Sequence, residues 1–292
     1  MKKLNIGVLR HEFRSYHTSE ILKKASAKGN VIKLDPKHIC LFLRKGMDIT
    51  LRQKDVTDLD ILIPRVDSDY FDFGLWVVKQ YEKLGVPCVN SSKTIEICQN
   101  KFLTSLALKK KRVPEPDCAI AASPTDMIKH IRKMQKPLVV KLLYGSLGLG
   151  TAKINDDQEA QDWLETLGEL KQPVYIQEYV EKQNTDYRLF IVGDKVITGI
   201  KRIAKPGQWK TNLQYIENRE SFKPSKELKE FGFKCKEAVK ADVCAIDFAI
   251  VNGGPMVFEI NQCPYFHALK HRRTSLDFGK AIVDFAVKKA KR

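Results

Sequence analysis

The chain has 292 residues, of which 43% are hydrophobic, so it can bury a large core and is long enough for two or three packed units. Lys and Arg number 51 against 35 acids, and the net charge of +16 sets up a field that attracts polyanions such as nucleotides, polyglutamate tails or nucleic acid. Nothing approaches a membrane span or a signal peptide, and seven scattered cysteines without a C-x-x-C pair or zinc spacing fit buried thiols in a reducing cytosol better than a disulfide framework, which predicts a cytoplasmic protein.

The basic residues are spread along the chain, with clusters at Lys109 to Arg112 and Lys288 to Arg292. Such runs read as solvated faces or tails, which ranks nucleic acid behind anionic small molecules as a partner. Residues 4 to 9 read as a buried strand, followed by a helix capped near Thr18 or Ser19 and stopped by Gly29, then a strand from Val31 to Leu34. Asp60 to Arg65 is a further strand, Phe71 to Leu84 a helix, and Val86 to Val89 a short strand, which together predict a small parallel-sheet domain. Ligands of such sheets bind beyond the carboxyl ends of the strands, where Arg65, Asn90 and Ser91 fall.

Residues 92 to 112 read as helical and strongly basic, and Val113-Pro114-Glu115-Pro116 breaks the pattern. Cys118 to Ala121 is a strand, Ser123-Pro124 starts a helix, and Pro137 to Leu142 is a strand. Lys141 lies inside that strand, and three glycines follow between Gly145 and Gly150 before a strand from Thr151 to Ile154. Glycines let backbone N–H groups approach phosphate oxygens, and the spacing fits neither a Walker A nor a G-x-G-x-x-G loop. The loop is either a phosphate flap or a plain hairpin tip. A helix over about 157 to 167 and a strand from Val174 to Val180 come next, then a hairpin of Tyr187 to Val192 and Lys195 to Ile203 around Gly193-Asp194. The segment from Lys201 to Asn212, with Lys205 and Lys210, is basic and irregular, suited to gripping phosphate or carboxylate groups.

A helix over 225 to 240 leads to Asp247 through Asn261, two apolar runs around Gly253-Gly254 that predict a hairpin. If residues 252 to 254 are unpaired, Asp247 stands opposite Glu259 with Asn261 on the same face; an even-numbered turn would put the two acids on opposite faces. The odd-numbered turn is predicted. Two carboxylates about 4 Å apart repel by about 4 kcal/mol at an effective dielectric near 20, so a cation between them is required, and all three residues are hard oxygen donors. A solvated hairpin with its charges in water is the other reading of this stretch alone. A helix near Asp277 to Ala290 closes the chain.

Taken in order, Lys101, Lys141, the glycine flap, Gln177-Glu178-Tyr179, Asp186-Tyr187-Arg188, Lys210-Thr211-Asn212, Asp247 and Glu259-x-Asn261 resemble the ATP-grasp ligases, most closely the RimK type that ligates glutamate or other amino acids. The resemblance implies an α/β (α+β) ATP-grasp fold with an N-terminal Rossmann-like preATP-grasp domain. The implied units are a preATP-grasp domain over 1–92, linker helices and a small lid over 93–182, and a C-terminal half with the metal site over 183–292. By position, Lys101 and Lys141 would contact ATP phosphates with Ser146 and Gly148 of the flap. Glu178, Tyr179 and Val180 would line adenine, Asp186 would reach ribose, and Lys210, Thr211 and Asn212 would make further nucleotide contacts. Asp247, Glu259 and Asn261 would bind magnesium or manganese, and Arg202 with Lys141 would act on the transferred phosphate. Arg65, Asn90, Ser91, Lys205 and Tyr265 are the candidate substrate residues.

The implied reaction is an amide ligation through an acyl phosphate, joining a small amino acid such as glutamate to an acidic acceptor: a protein tail, a carrier protein or a coenzyme. A phosphoryl transferase of the same fold and a non-catalytic nucleotide- or RNA-binding protein are the alternatives, and self-association into a homo-oligomer stays open. Two stretches depart from the family pattern. Leu213 to Ile216 lacks the usual glycines, and Gln262-Cys263-Pro264-Tyr265-Phe266 replaces the small residues after the metal-binding Asn, both where substrate would be held.

Overall fold

The computed structural model describes residues 3–291 apart from 45, 47, 67–69, 146–149, 206, 211–218, 267–268 and 270–276. Strand β1 (Leu4–Leu9), helix α1 (Tyr16–Ser26) and strand β2 (Gly29–Leu34) open the chain. Ser15 caps α1 by accepting from the Thr18 N–H; Thr18 is buried and packs inward, so the cap lies earlier than Thr18 or Ser19. A small antiparallel sheet of β3 (Ile39–Leu41), β4 (Ile49–Leu51) and β5 (Lys54–Asp55) was not legible in the sequence. Strand β6 (Ile61–Pro64) completes a parallel sheet ordered β2-β1-β6, with helix α2 (Phe71–Lys83) after it. The predicted strand at 86–89 reduces to one bridge, Leu62 to Cys88, because Pro87 has no N–H to continue a ladder.

The basic helical stretch is two helices, α3 (Ser92–Gln99) and α4 (Lys101–Lys110). Asn100 separates them in extended backbone and caps the second by accepting from Leu103 N–H at 3.1 Å. A four-stranded antiparallel sheet follows, ordered β7-β10-β8-β9, from β7 (Cys118–Ala121), β8 (Leu138–Lys141), β9 (Thr151–Ile154) and β10 (Val174–Glu178). Helices α5 (Pro124–Ile131) and α6 (Asp157–Glu169) cover one face, where Leu138, Val140, Val174 and Ile176 join their apolar side chains. Period-two alternation therefore turns Val139, Lys141 and Gln177 to the opposite face.

The C-terminal sheet is antiparallel and ordered β13-β12-β11-β14-β15, from β11 (Thr185–Val192), β12 (Lys195–Ile203), β13 (Arg219–Phe222), β14 (Val243–Val251) and β15 (Gly254–Asn261). Leu189, Ile191, Cys244 and Ile246 pack against helix α7 (Lys226–Ala238). On the other face Phe190, Val192, Val243 and Ala245 share one core with helix α8 (Phe278–Ala290) and with Ile6, Val8 and Ile21 of the N-terminal unit.

The β14–β15 hairpin corrects the predicted turn. Val251 pairs with Gly254, so only Asn252 and Gly253 are unpaired, both at positive φ (49° and 82°), as a two-residue turn of this twist requires. The odd residue comes instead from a β-bulge: Phe248 pairs with Val257 while Asp247 pairs with Glu259, leaving Phe258 without a partner. Val257 and Ile260 both reach the α7 core although their numbers differ in parity, which locates the switch of faces between them. The predicted pairing of Asp247 with Glu259 thus arises by another route.

Asn90 fastens the N-terminal unit to the C-terminal sheet. Its amide donates to the Val243 and Gln262 carbonyls at 2.7 and 2.8 Å, and its oxygen accepts from the Asp242 and Val243 N–H groups at 2.7 and 2.8 Å. Lys289 adds a bond to the Cys88 carbonyl at 3.0 Å and an ion pair with Asp242 at 2.6 Å. Asn90→Ala should destabilise the protein by about 3 kcal/mol, because four buried bonds lose one partner each; urea unfolding of the two proteins measures it.

Candidate active site

A cleft holding about 790 Å³ of empty space, part of it open to solvent, lies between the four-stranded sheet and the C-terminal sheet. Its lining brings together Lys101, Lys141, Glu178, Tyr179, Val180, Asp186, Lys210, Asp247 and Glu259, all expected from the sequence, and adds Gln177, Lys182, Trp209 and Phe258.

The lysines carry the electrostatics. Lys101 donates to the Gly145 carbonyl at 3.2 Å, and its ammonium is pulled below the ordinary lysine range by burial, with Glu259 opposing. Lys141 donates to the Gln177 side-chain oxygen; burial and then neighbouring Lys101 bring it down to about 8, again against Glu259. Burial also lowers Lys182, whose ammonium lies 4.9 Å from the centre of the Phe258 ring, and Asp186 opposes that shift. Lys210 donates to the Thr151 carbonyl at 2.7 Å, a tie to β9, and it too is lowered by burial. Four ammonium groups drawn out of water toward one cleft favour a ligand with several negative charges.

The side of the cleft near the end of β10 is aromatic. Tyr179 and Trp209 meet edge to face at 6.2 Å, Lys153 lies 4.0 Å from the Tyr179 ring centre, and the Tyr179 hydroxyl donates to Glu181 at 3.0 Å. A flat heteroaromatic ring would find stacking partners there.

On the floor, the charged residues share one face of the C-terminal sheet. Asp186 pairs with Arg202 across β11–β12, and Arg188 with Asp247 across β11–β14. Arg202 grips Asp186 through two bonds of 2.6 and 2.7 Å and lies 3.1 Å from Asp247, while Arg188 grips Asp247 at 2.5 and 2.6 Å. Burial alone would favour neutral Asp247, but Arg188 and Arg202 outweigh it and hold the carboxyl below the ordinary aspartate value. Arg202, lowered by burial, is raised above its ordinary value by Asp247 and Asp186.

Asp247, Glu259 and Asn261 occupy the same face, with Asp247 opposite Glu259 and Ala245 opposite Asn261. Two carboxylates and an amide oxygen are the hard donors magnesium or manganese takes, and the Asn261 amide nitrogen is buried without a hydrogen-bond partner. The set fits such an ion, provided one Asp247 oxygen is released from its arginines. Among the described residues no three His, Cys, Asp or Glu side chains gather elsewhere as a metal cluster.

Other expected residues fall elsewhere. Ser146, Gly148, Thr211 and Asn212 lie outside the described residues. Asp186 lines the cleft, but both its oxygens are taken by Arg202. Lys205 is exposed and away from the cleft lining. Asn90 and Ser91 are corrected out of the substrate set, since the Asn90 amide is consumed by the domain junction and Ser91 caps α3, accepting from Thr94 N–H at 3.3 Å. Arg65 and Tyr265 lie together with His17 and Phe266, where the N-terminal unit meets the segment after Asn261. Sequence reasoning gives Arg188 no role of its own, although it stands in the Asp186-Tyr187-Arg188 run and alternates with Asp186 along one strand face, and it gives none to Lys182 or Trp209, which sit in irregular backbone without a pattern.

Residues 98–285 match the family described as RimK-like ATP-grasp domain, and residues 4–95 match the RimK PreATP-grasp domain. A probable alpha-L-glutamate ligase of Thioalkalivibrio sulfidiphilus is 30% identical over 298 residues, covering 99% of this chain and 97% of that protein. A probable alpha-L-glutamate ligase 1 of Shewanella denitrificans is 30% identical over 296 residues, covering 98% of each. Among solved structures, the D-alanine–D-alanine ligase of Bacillus anthracis complexed with ATP superimposes with a TM-score of 0.74 at 19% identity, covering 100% of this chain and 99% of that one. A RimK domain ATP-grasp protein of Sphaerobacter thermophilus gives 0.73 at 16%, covering 97% and 99%. At these identities the structural likeness establishes the fold.

Arg202→Met should destabilise the protein by about 3–5 kcal/mol, because it removes the buried guanidinium that grips Asp186 through both oxygens and also faces Asp247; chemical denaturation at neutral pH measures the loss.

Proposed function

The chain belongs to the RimK-like ATP-grasp family and is an ATP-dependent carboxylate–amine ligase, and we propose that it adds an amino acid such as glutamate to the carboxylate of an acidic acceptor, a protein tail, a carrier protein or a coenzyme. The observation that carries this reading is the meeting, in one cleft, of four lysines lowered by burial with the paired Asp247 and Glu259. The proposed division is a preATP-grasp domain to residue 92, linker and lid to 182, and the metal-bearing half beyond.

In this reading Lys101, Lys141 and Lys210 neutralise the phosphates, Glu178, Tyr179 and Val180 with Trp209 hold adenine, and Asp186 orders the ribose side. Ser146, Gly148, Thr211 and Asn212 are further nucleotide contacts. A magnesium or manganese ion held by Asp247, Glu259 and Asn261 would supply charge neutralisation at the phosphoryl oxygens. The acceptor carboxylate oxygen attacks the γ-phosphorus, the bond to the ADP oxygen breaks, and an acyl phosphate forms; the amine nitrogen then attacks the acyl carbon and phosphate leaves. Lys141 and Arg202 offset the charge that spreads over the transferred group.

Screening amino acids against acidic acceptors for ADP release, with mass spectrometry of the product, tests the reading. ADP should appear in proportion to a product heavier by one or more amino-acid residues. ADP with a phosphorylated product and no amide would replace it with phosphoryl transfer. Because only protonated Lys141 attracts phosphate and its value lies at about 8, nucleotide affinity should be full at pH 7 and fall about tenfold by pH 9. Equilibrium titration measures this, and Lys141→Arg, which keeps its proton, should flatten the profile.

A further inference from the structure

Arg65 follows the last residue of β6, at the carboxyl end of the parallel sheet, where such sheets receive ligands. It is 3% exposed, yet among the described residues no carboxylate pairs with it. One guanidinium nitrogen donates to the Pro264 carbonyl at 3.2 Å, the group lies 6.0 Å from the Phe266 ring centre, and its Nε is buried with no acceptor. Its own carbonyl accepts from Arg10 at 3.3 Å, and Arg10 is a second buried cation. Arg202, buried to a similar degree, is held by two aspartates. A guanidinium withdrawn from water without an anion is costly unless a ligand supplies one.

Beside it lies a second unsatisfied atom of opposite kind. Gln262, 6% exposed, donates through its amide to the Val66 carbonyl at 3.1 Å, while its Oε1 is buried with no donor. The two residues interlace, Gln262 reaching the neighbour of Arg65 and Arg65 reaching the second residue after Gln262. Both sit in or against Gln262 to Phe266, the segment that follows Asn261. An α-amino acid carries a carboxylate for the one atom and an N–H for the other.

Resting on the ligase reading above, we propose that Arg65 binds the α-carboxylate of the amine-donor amino acid, with Gln262 accepting from its amino group. The donor is thereby selected for a free α-carboxylate, and its nitrogen is held near the residue that follows the metal-binding Asn.

Calorimetric titration of the full chain, with magnesium and a non-hydrolysable ATP analogue present, uses L-glutamate and its α-amide as probes. The wild-type protein should bind the acid on the order of 100-fold more tightly than the amide. Arg65→Gln should shrink that preference to within about threefold and leave analogue affinity within about threefold. Arg65→Lys, which keeps the charge and loses the planar fork, should cut the preference about tenfold and is the deciding variant if Arg65→Gln fails to fold. Equal binding of acid and amide by the wild type, or an unchanged preference in the variants, overturns the proposal. So does a parallel loss of acid, amide and analogue binding, which marks a structural role. Absence of ADP release with every amine and acceptor would instead defeat the ligase reading while leaving the acid preference intact.

Discussion

Strands β14 and β15 leave their two-residue turn in a register that, carried on unchanged, would set Asp247 opposite Phe258 and aim Glu259 and Asn261 into the α7 core. Burying a carboxylate and an amide there without partners would cost several kcal/mol. The extra residue at Phe258 reverses the alternation, returns Ile260 to the core and brings Glu259 to the face of Asp247. Everything ascribed to the cleft depends on that reversal, because the lysines of the four-stranded sheet have acids to face only if the acids are on this side.

The same face then separates charges into two classes. Asp186, Arg188, Arg202 and Asp247 form a paired set in which each carboxylate meets a guanidinium, which favours the ionised acids in a buried setting. Lys101 and Lys141 have weaker company, a carbonyl and an amide oxygen, while Lys182 lies over the Phe258 ring with Asp186 opposing its fall, and burial lowers all three ammonium values. The first set holds shape without a ligand, and the second is compensated when a polyanion enters. The Asn90 junction matters for the same reason, since it fixes the N-terminal unit, and with it Arg65, against the start of the strand that carries Asp247 and the end of the strand that carries Asn261.

Strand alternation made most of this legible beforehand. Lys141 inside an apolar strand and the two acids of the hairpin stood out because period two assigns each a face, and their order along the chain matched the RimK-type ligases. The bulge was not legible, since Met256 to Ile260 is apolar enough to run on either register and only packing against α7 decides between them. Asn90 and Ser91 misled for a related reason. Polar residues after a strand of a parallel sheet suit ligand binding and equally suit capping and domain contact, and sequence does not reveal which backbone groups lie opposite.

A crystal grown with manganese and a non-hydrolysable ATP analogue tests the central claim most directly. Anomalous density between Asp247, Glu259 and Asn261, with Arg188 withdrawn from one Asp247 oxygen, is the predicted result. Manganese bound elsewhere, with Asp247 still gripped through both oxygens by Arg188, would contradict it.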